Sequence, residues 1–119
     1  MEDFVPFELA VKLKEKGFSC KYPFAIYFGN RMYYDYGDLI DDKDAIIAPT
    51  ISQVLKLLRE KYSIHISTKP YPCEDGLMWL YELRKFNKYI SAVVVNKTGF
   101  TKEEQAALAG IEYTLDNLI

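Results

Sequence analysis

The sequence predicts a single α+β domain, an antiparallel sheet system packed with about three helices, spanning residues 1–119. Three observations carry that reading. A capped amphipathic helix runs directly into an alternating strand from Thr50 onward. A Gly29-Asn30 pair separates two aromatic runs. A second pair of alternating runs, Ser63 to Pro70 and Leu77 to Lys85, matches in both polarity and charge in one register.

The first helix is expected over about Phe4 to Lys16. Asp3 serves as N-cap, Pro6 is tolerated in the first turn, and Gly17 stands where the chain must turn left-handed. Glu8 and Lys12 stand four apart in the favourable order, and Leu9, Ala10 and Leu13 form the apolar side, flanked by Phe7 and Val11.

Tyr22 to Phe28 and Arg31 to Tyr36 then read as a hairpin. Glycine leads the two-residue turn, as type II′ geometry prefers. Closing it at Phe28 and Arg31 sets Ile26 opposite Tyr33 and Tyr27 opposite Met32. Both faces then carry large apolar groups, Tyr27, Met32 and Tyr34 on one and Ile26, Phe28 and Tyr33 on the other. Only one face is expected to lie on the core, so Tyr27, Met32 and Tyr34 are a candidate interface for a partner protein or a second copy of the chain.

The second helix begins at Thr50, which forms a capping box with Gln53. Ile51, Val54, Leu55, Leu58 and Tyr62 make its core stripe, and Leu57 lies off that stripe. From Ser63 the period becomes two, with Ile64, Ile66, Thr68 and Pro70 inward. A turn at Cys73-Glu74-Asp75-Gly76 pairs Ile66 with Leu83, Thr68 with Tyr81 and Pro70 with Trp79. It also sets Ser67 opposite Glu82, with Lys69 diagonal to it. A helix over Gly76 to Tyr89 is the rival, since Leu77, Leu80, Tyr81 and Leu83 also share a helical face. The strand is preferred because the register holds at every pair. Ile90 to Val95 lacks alternation, which predicts a third strand buried on both faces. The third helix is expected to open with a capping box of Thr101 and Glu104, to bury Leu108, Ile111, Leu115 and Leu118, and to use Gly110 for close packing.

Half of the 119 residues are hydrophobic and 27% are charged, a globular composition that argues against disorder. No apolar run approaches the ~20 residues of a membrane span, and the start lacks the features of a secretion signal, so a cytoplasmic protein without membrane contact is expected. In such a compartment Cys20 and Cys73, 53 positions apart, are expected to be free thiols. Charge is unevenly placed: −3 over Met1 to Pro49, +5 over Thr50 to Lys102 and −4 over Glu103 to Ile119.

Two blocks look familiar. The run from Ala48 through Thr50, Gln53, Leu58 and Tyr62 to Ile66, and the segment Glu104 to Ile111, resemble short uncharacterised proteins of gut anaerobic bacteria, often in phage-derived or mobile regions. These residues cap and pack helices, so the resemblance implies shared architecture and an accessory role, with no activity to carry over.

The residues offer little chemistry. His65 and Cys73 are the only pair that could suggest a thiol catalyst, and eight strand steps of ~3.3 Å hold them roughly 25 Å apart, beyond the reach a dyad needs. Asp35, Asp38, Asp41, Asp42 and Asp44 cluster, but counting from Asp42 puts Ile47 and Gln53 where a calcium loop needs glycine and glutamate. No catalytic residue, metal site or cofactor is expected, and enzyme chemistry ranks third, behind binding. The first expectation is a non-enzymatic protein-interaction domain. The alternative is a nucleic-acid binder using Ser52, Gln53, Lys56 and Arg59 on the polar side of the second helix, within the basic middle.

Overall fold

The computed structural model describes residues 3–20, 23–88 and 91–119. The chain runs α1 (Phe7–Glu15), β1 (Ile26–Phe28), β2 (Arg31–Tyr33), a 3-10 helix (Gly37–Asp41), β3 (Ile46–Ile47), α2 (Ile51–Tyr62), β4 (Ile64–Cys73), β5 (Gly76–Phe86), β6 (Ser91–Phe100) and α3 (Glu103–Asn117). Two antiparallel sheets result, a small one in the order β2-β1-β3 and a large one in the order β4-β5-β6. The architecture is the expected α+β one.

Both hairpin registers form as the sequence predicts. Ile26 faces Tyr33 and Tyr27 faces Met32 across the Gly29-Asn30 turn, where Gly29 adopts φ +66. Ile66 faces Leu83, Thr68 faces Tyr81 and Pro70 faces Trp79, so the segment after Gly76 is strand and not helix. Tyr22 and Ile90, expected to begin two of the strands, lie outside the described residues. The small sheet gains a strand the sequence did not reveal. Ile46 and Ile47 pair with Tyr27 and Ile26, a match too short to show alternation.

The start of α1 differs from expectation. Phe4 bridges Thr50, the Val5 N–H donates to the Pro49 carbonyl, and the Ile51 N–H donates to the Asp3 carbonyl. This extended pairing holds Asp3 to Val5 out of the helix, so α1 opens after Pro6 with no side-chain cap. Its end behaves as predicted: Gly17 takes φ +87, and the Phe18 and Gly17 N–H groups close back on the Leu13 and Lys14 carbonyls.

The capping box of α2 forms in full, Thr50 Oγ1 accepting from the Gln53 N–H and Gln53 Oε1 from the Thr50 N–H. The one expected at α3 does not. That helix begins at Glu103, leaving Thr101 outside it with its hydroxyl on Gln105 Oε1 at 2.8 Å.

A single core cluster draws Leu9 and Leu13 from α1, Val54 and Leu58 from α2, Ile66, Tyr81 and Leu83 from the large sheet, and Ile111 and Leu115 from α3. Gly110 is the seat of α3 on the large sheet. A Cβ there would stand 2.8 Å from Ile66 Cγ2 and 3.2 Å from the Tyr81 ring. The neighbouring turn is satisfied internally, because the buried Thr114 hydroxyl donates to the Gly110 carbonyl. No helix among the described residues is long and apolar enough to cross a membrane.

Candidate interaction surfaces

Burial overturns the aromatic hairpin face as a unit. Tyr27 is 7% exposed, donates its hydroxyl to the Val5 carbonyl at 2.6 Å and meets the Phe7 ring edge-on at 5.4 Å. Burial raises its pKa, the phenolate being the form that desolvation disfavours. Ile26 on the opposite face is fully buried too, so both sides of β1 are covered and the expectation of one exposed face fails. Met32 packs half-buried on the core. Of the three named residues only Tyr34, 66% exposed against Phe4, remains outside.

The large sheet is the reverse case. Its inner face carries Ile64, Ile66, Tyr81 and Leu83 and is covered, while the outer face carries His65, Ser67, Lys69, Leu80, Glu82 and Arg84. Glu82 centres that outer face, with Arg84 Nε at 2.6 Å and Lys69 Nζ at 3.9 Å. The Arg84 hydrogen bond holds the Glu82 carboxyl below its usual pKa. At the end of this face Arg59, Ser63, His65 and Phe86 bound a shallow shelf of about 300 Å³, with His65 edge-on to Phe86 at 6.2 Å. His65 stands opposite Arg84, and Cys73 lies at the far end of the same strand. Both cysteines are unbridged.

The four residues proposed to contact nucleic acid do not act alike. Ser52, Lys56 and Arg59 are exposed, but Gln53 is folded back on Thr50, so its carbonyl oxygen is engaged in the cap. Lys56 stands 4.0 Å from Glu60. Arg59 lines the shelf with His65 and Phe86, whereas Gln53 and Lys56 border Phe18 and Leu57 on the other side of the helix end.

β6 departs furthest from expectation. It is an edge strand, nearly all exposed, with Val93 at 48% and Val94 at 41%. An apolar run reads alike at a sheet centre or edge, which is why the sequence suggested burial on both faces. Two register shifts against β5, between Leu83 and Arg84 and between Trp79 and Tyr81, break its regularity. Bulges and a charge such as Lys97 are the devices by which edges resist further pairing, so strand addition is disfavoured here.

A recess between two helices was not anticipated. α1 and α3 run side by side in the same direction: Lys12 reaches Asp116 at 3.0 Å and Glu112 at 3.4 Å, and Lys16 reaches the Ile119 carbonyl at 2.8 Å. Between their N-terminal halves lies a groove of about 350 Å³. Leu9, Leu108, Ala109 and Phe100 supply its apolar lining, and Glu8, Lys12, Gln105 and Glu112 its polar lining. Lys12 therefore faces Glu112 and Asp116 in place of the expected Glu8. The Asp116 hydrogen bond, chiefly, raises its pKa and keeps it protonated. Glu8, Glu112 and Asp116 outnumber that one cation, so the rim keeps a net negative charge, with Glu8 the carboxylate not bridged to Lys12. Leu108, expected within the core stripe, is only half-buried and faces the groove. Gln105, Leu108, Ala109 and Glu112 do recur at helical spacing, a second stripe beside the core one that was the available signal.

The aspartates from Asp35 to Asp44 sit around the 3-10 helix, where Asp42 Oδ1 accepts from the Asp44 N–H at 2.8 Å. Among the described residues no three His, Cys, Asp or Glu side chains are grouped to hold a metal. Comparison with protein-family models, curated proteins and solved structures finds no match to this chain.

Proposed function

We propose that this chain is a protein-interaction domain whose docking site is the groove between α1 and α3. One observation carries the reading: half-buried Leu108, Ala109 and Phe100, with buried Leu9 behind them, line a recess between two helices under a net-negative rim. At about 350 Å³ the recess is at the low end of ligand sites, which suits one anchoring side chain of a partner better than a whole cofactor. A large apolar side chain entering it would displace water from those walls, and flanking Lys or Arg would meet Glu8 and the net-negative rim. An accessory protein of a phage or other mobile element, implied by the two helix blocks, fits a domain that binds its partner without transforming it.

The test is fluorescence polarisation with short labelled peptides that share an aromatic anchor and differ in flanking charge. Lys-flanked peptides should bind more tightly than Glu-flanked ones, and Leu108→Asp should abolish the difference. Equal affinity for both peptide sets, or binding unchanged by Leu108→Asp, would refute the groove.

A second reading has its own observation, the cation Arg59 beside the rings of His65 and Phe86 in the basic middle of the chain. Rings beside cations suit single-stranded nucleic acid, where bases stack and phosphates are neutralised. Mobility shifts of an oligonucleotide at two salt concentrations separate the readings, because phosphate contacts must weaken steeply as salt rises.

A further inference from the structure

We infer that the groove between α1 and α3 receives Phe86 of a second copy of this chain, so that copies assemble head to tail. The inference rests on the reading of that groove as a docking site and names its occupant.

The chain carries the ligand that the groove's chemistry describes. Phe86 is a large apolar side chain, 41% exposed at the end of β5. Arg59 lines the shelf on which its ring sits, and exposed Lys85 precedes it. The groove offers the complement: Leu108, Ala109 and Phe100 for the ring, and for the cations Glu8 beside the net-negative group of Lys12, Glu112 and Asp116. The uneven charge of the sequence thereby gains a structural meaning. α3, with four acidic and no basic residues, supplies one wall of the socket, and the basic middle supplies the plug.

Phe86 cannot fill the groove of its own chain. Its ring meets His65 on the outer face of the large sheet, whereas α3 lies on the inner face against Ile66 and Tyr81. Along β5 it is also seven residues from Trp79, whose partner Phe100 lines the groove, which at ~3.3 Å per residue is roughly 23 Å. Plug and socket thus occupy different surfaces of one molecule. A contact of this kind is heterologous, and each added copy exposes a fresh plug at one end and a fresh socket at the other.

Sedimentation velocity on the full chain tests this, across a concentration series at low and high salt. The parent should form species beyond the dimer that grow with concentration and recede with salt. Phe86→Asp and Leu108→Asp should each be monomeric, the apparent dissociation constant rising by more than about tenfold. Their equal mixture should give a dimer and nothing larger, since one intact plug and one intact socket remain. Glu8→Lys, at an exposed rim position, should weaken assembly without touching the core and so covers the case in which Leu108→Asp fails to fold.

A parent that stays monomeric yet binds Lys-flanked aromatic peptides overturns the self-association and leaves the groove reading intact. A parent that does neither overturns both. A closed dimer that never grows, assembly untouched by Phe86→Asp, or a mixture that stays monomeric while both variants keep the parent circular dichroism each overturn the inference. Loss of oligonucleotide binding in Phe86→Asp with assembly unchanged overturns it in favour of nucleic acid on the shelf.

Discussion

The two sheets of this molecule handle apolar surface in opposite ways. The small sheet has strands of three, three and two residues, yet both faces of its central strand are buried, Ile26 on one side and Tyr27 on the other. The large sheet has strands of ten, eleven and ten residues, yet only its inner face is covered, and β6 lies exposed. A short sheet can be enclosed by the chain leading into it, here Val5 and Phe7, whereas a long one outruns the helices available to cover it. Aromatic richness marks the small sheet as a core component, and the available surface lies elsewhere.

The sharpest way to break the contrast is within the hairpin. Tyr27→Ala should cost about 3–5 kcal/mol, as large core truncations do, whereas Tyr34→Ala should stay within about 0.5 kcal/mol. Urea titration reads both. Similar losses would mean that the small sheet is not enclosed as described.

In the large sheet the inner face can be tested through its contact with α3. Gly110→Val should destabilise by about 1–3 kcal/mol, because even the first added carbon meets Ile66 at 2.8 Å. Thermal unfolding at the parent midpoint would show α3 to be seated elsewhere if the variant is as stable as the parent.

The smallest effect concerns the two threonines expected to cap helices. Thr50→Ala should lose about 1 kcal/mol and Thr101→Ala close to nothing, since the first makes its capping box and the second stands outside its helix. Equal losses in denaturant midpoint would place Thr101 in a cap after all.

Legibility followed the range of the interactions involved. Both hairpin registers and the α2 cap could be read because Gly29-Asn30, Glu74-Asp75-Gly76 and Thr50 to Gln53 settle their geometry within a few residues. The start of α1 could not, because it is decided by pairing of Asp3 to Val5 with Pro49 to Ile51, far along the chain. The exposure of β6 could not either, since Ala92 to Val95 is equally apolar at a centre or an edge. The groove was missed because its lining comes from α1, the end of β6 and α3, and no local pattern announces three segments meeting.

Ser63 is the only non-glycine residue with positive φ among those described, at +56, and it alone separates the end of α2 from the start of β4. A connection of one residue leaves no slack. Any tilt of the helix must be absorbed by the two dihedrals of Ser63, already in a sparsely allowed region, or passed on to the strand. Arg59 before the junction and His65 and Phe86 beyond it therefore move as one stiff unit. Such a surface is already ordered before anything touches it, and little freedom is left to lose on contact.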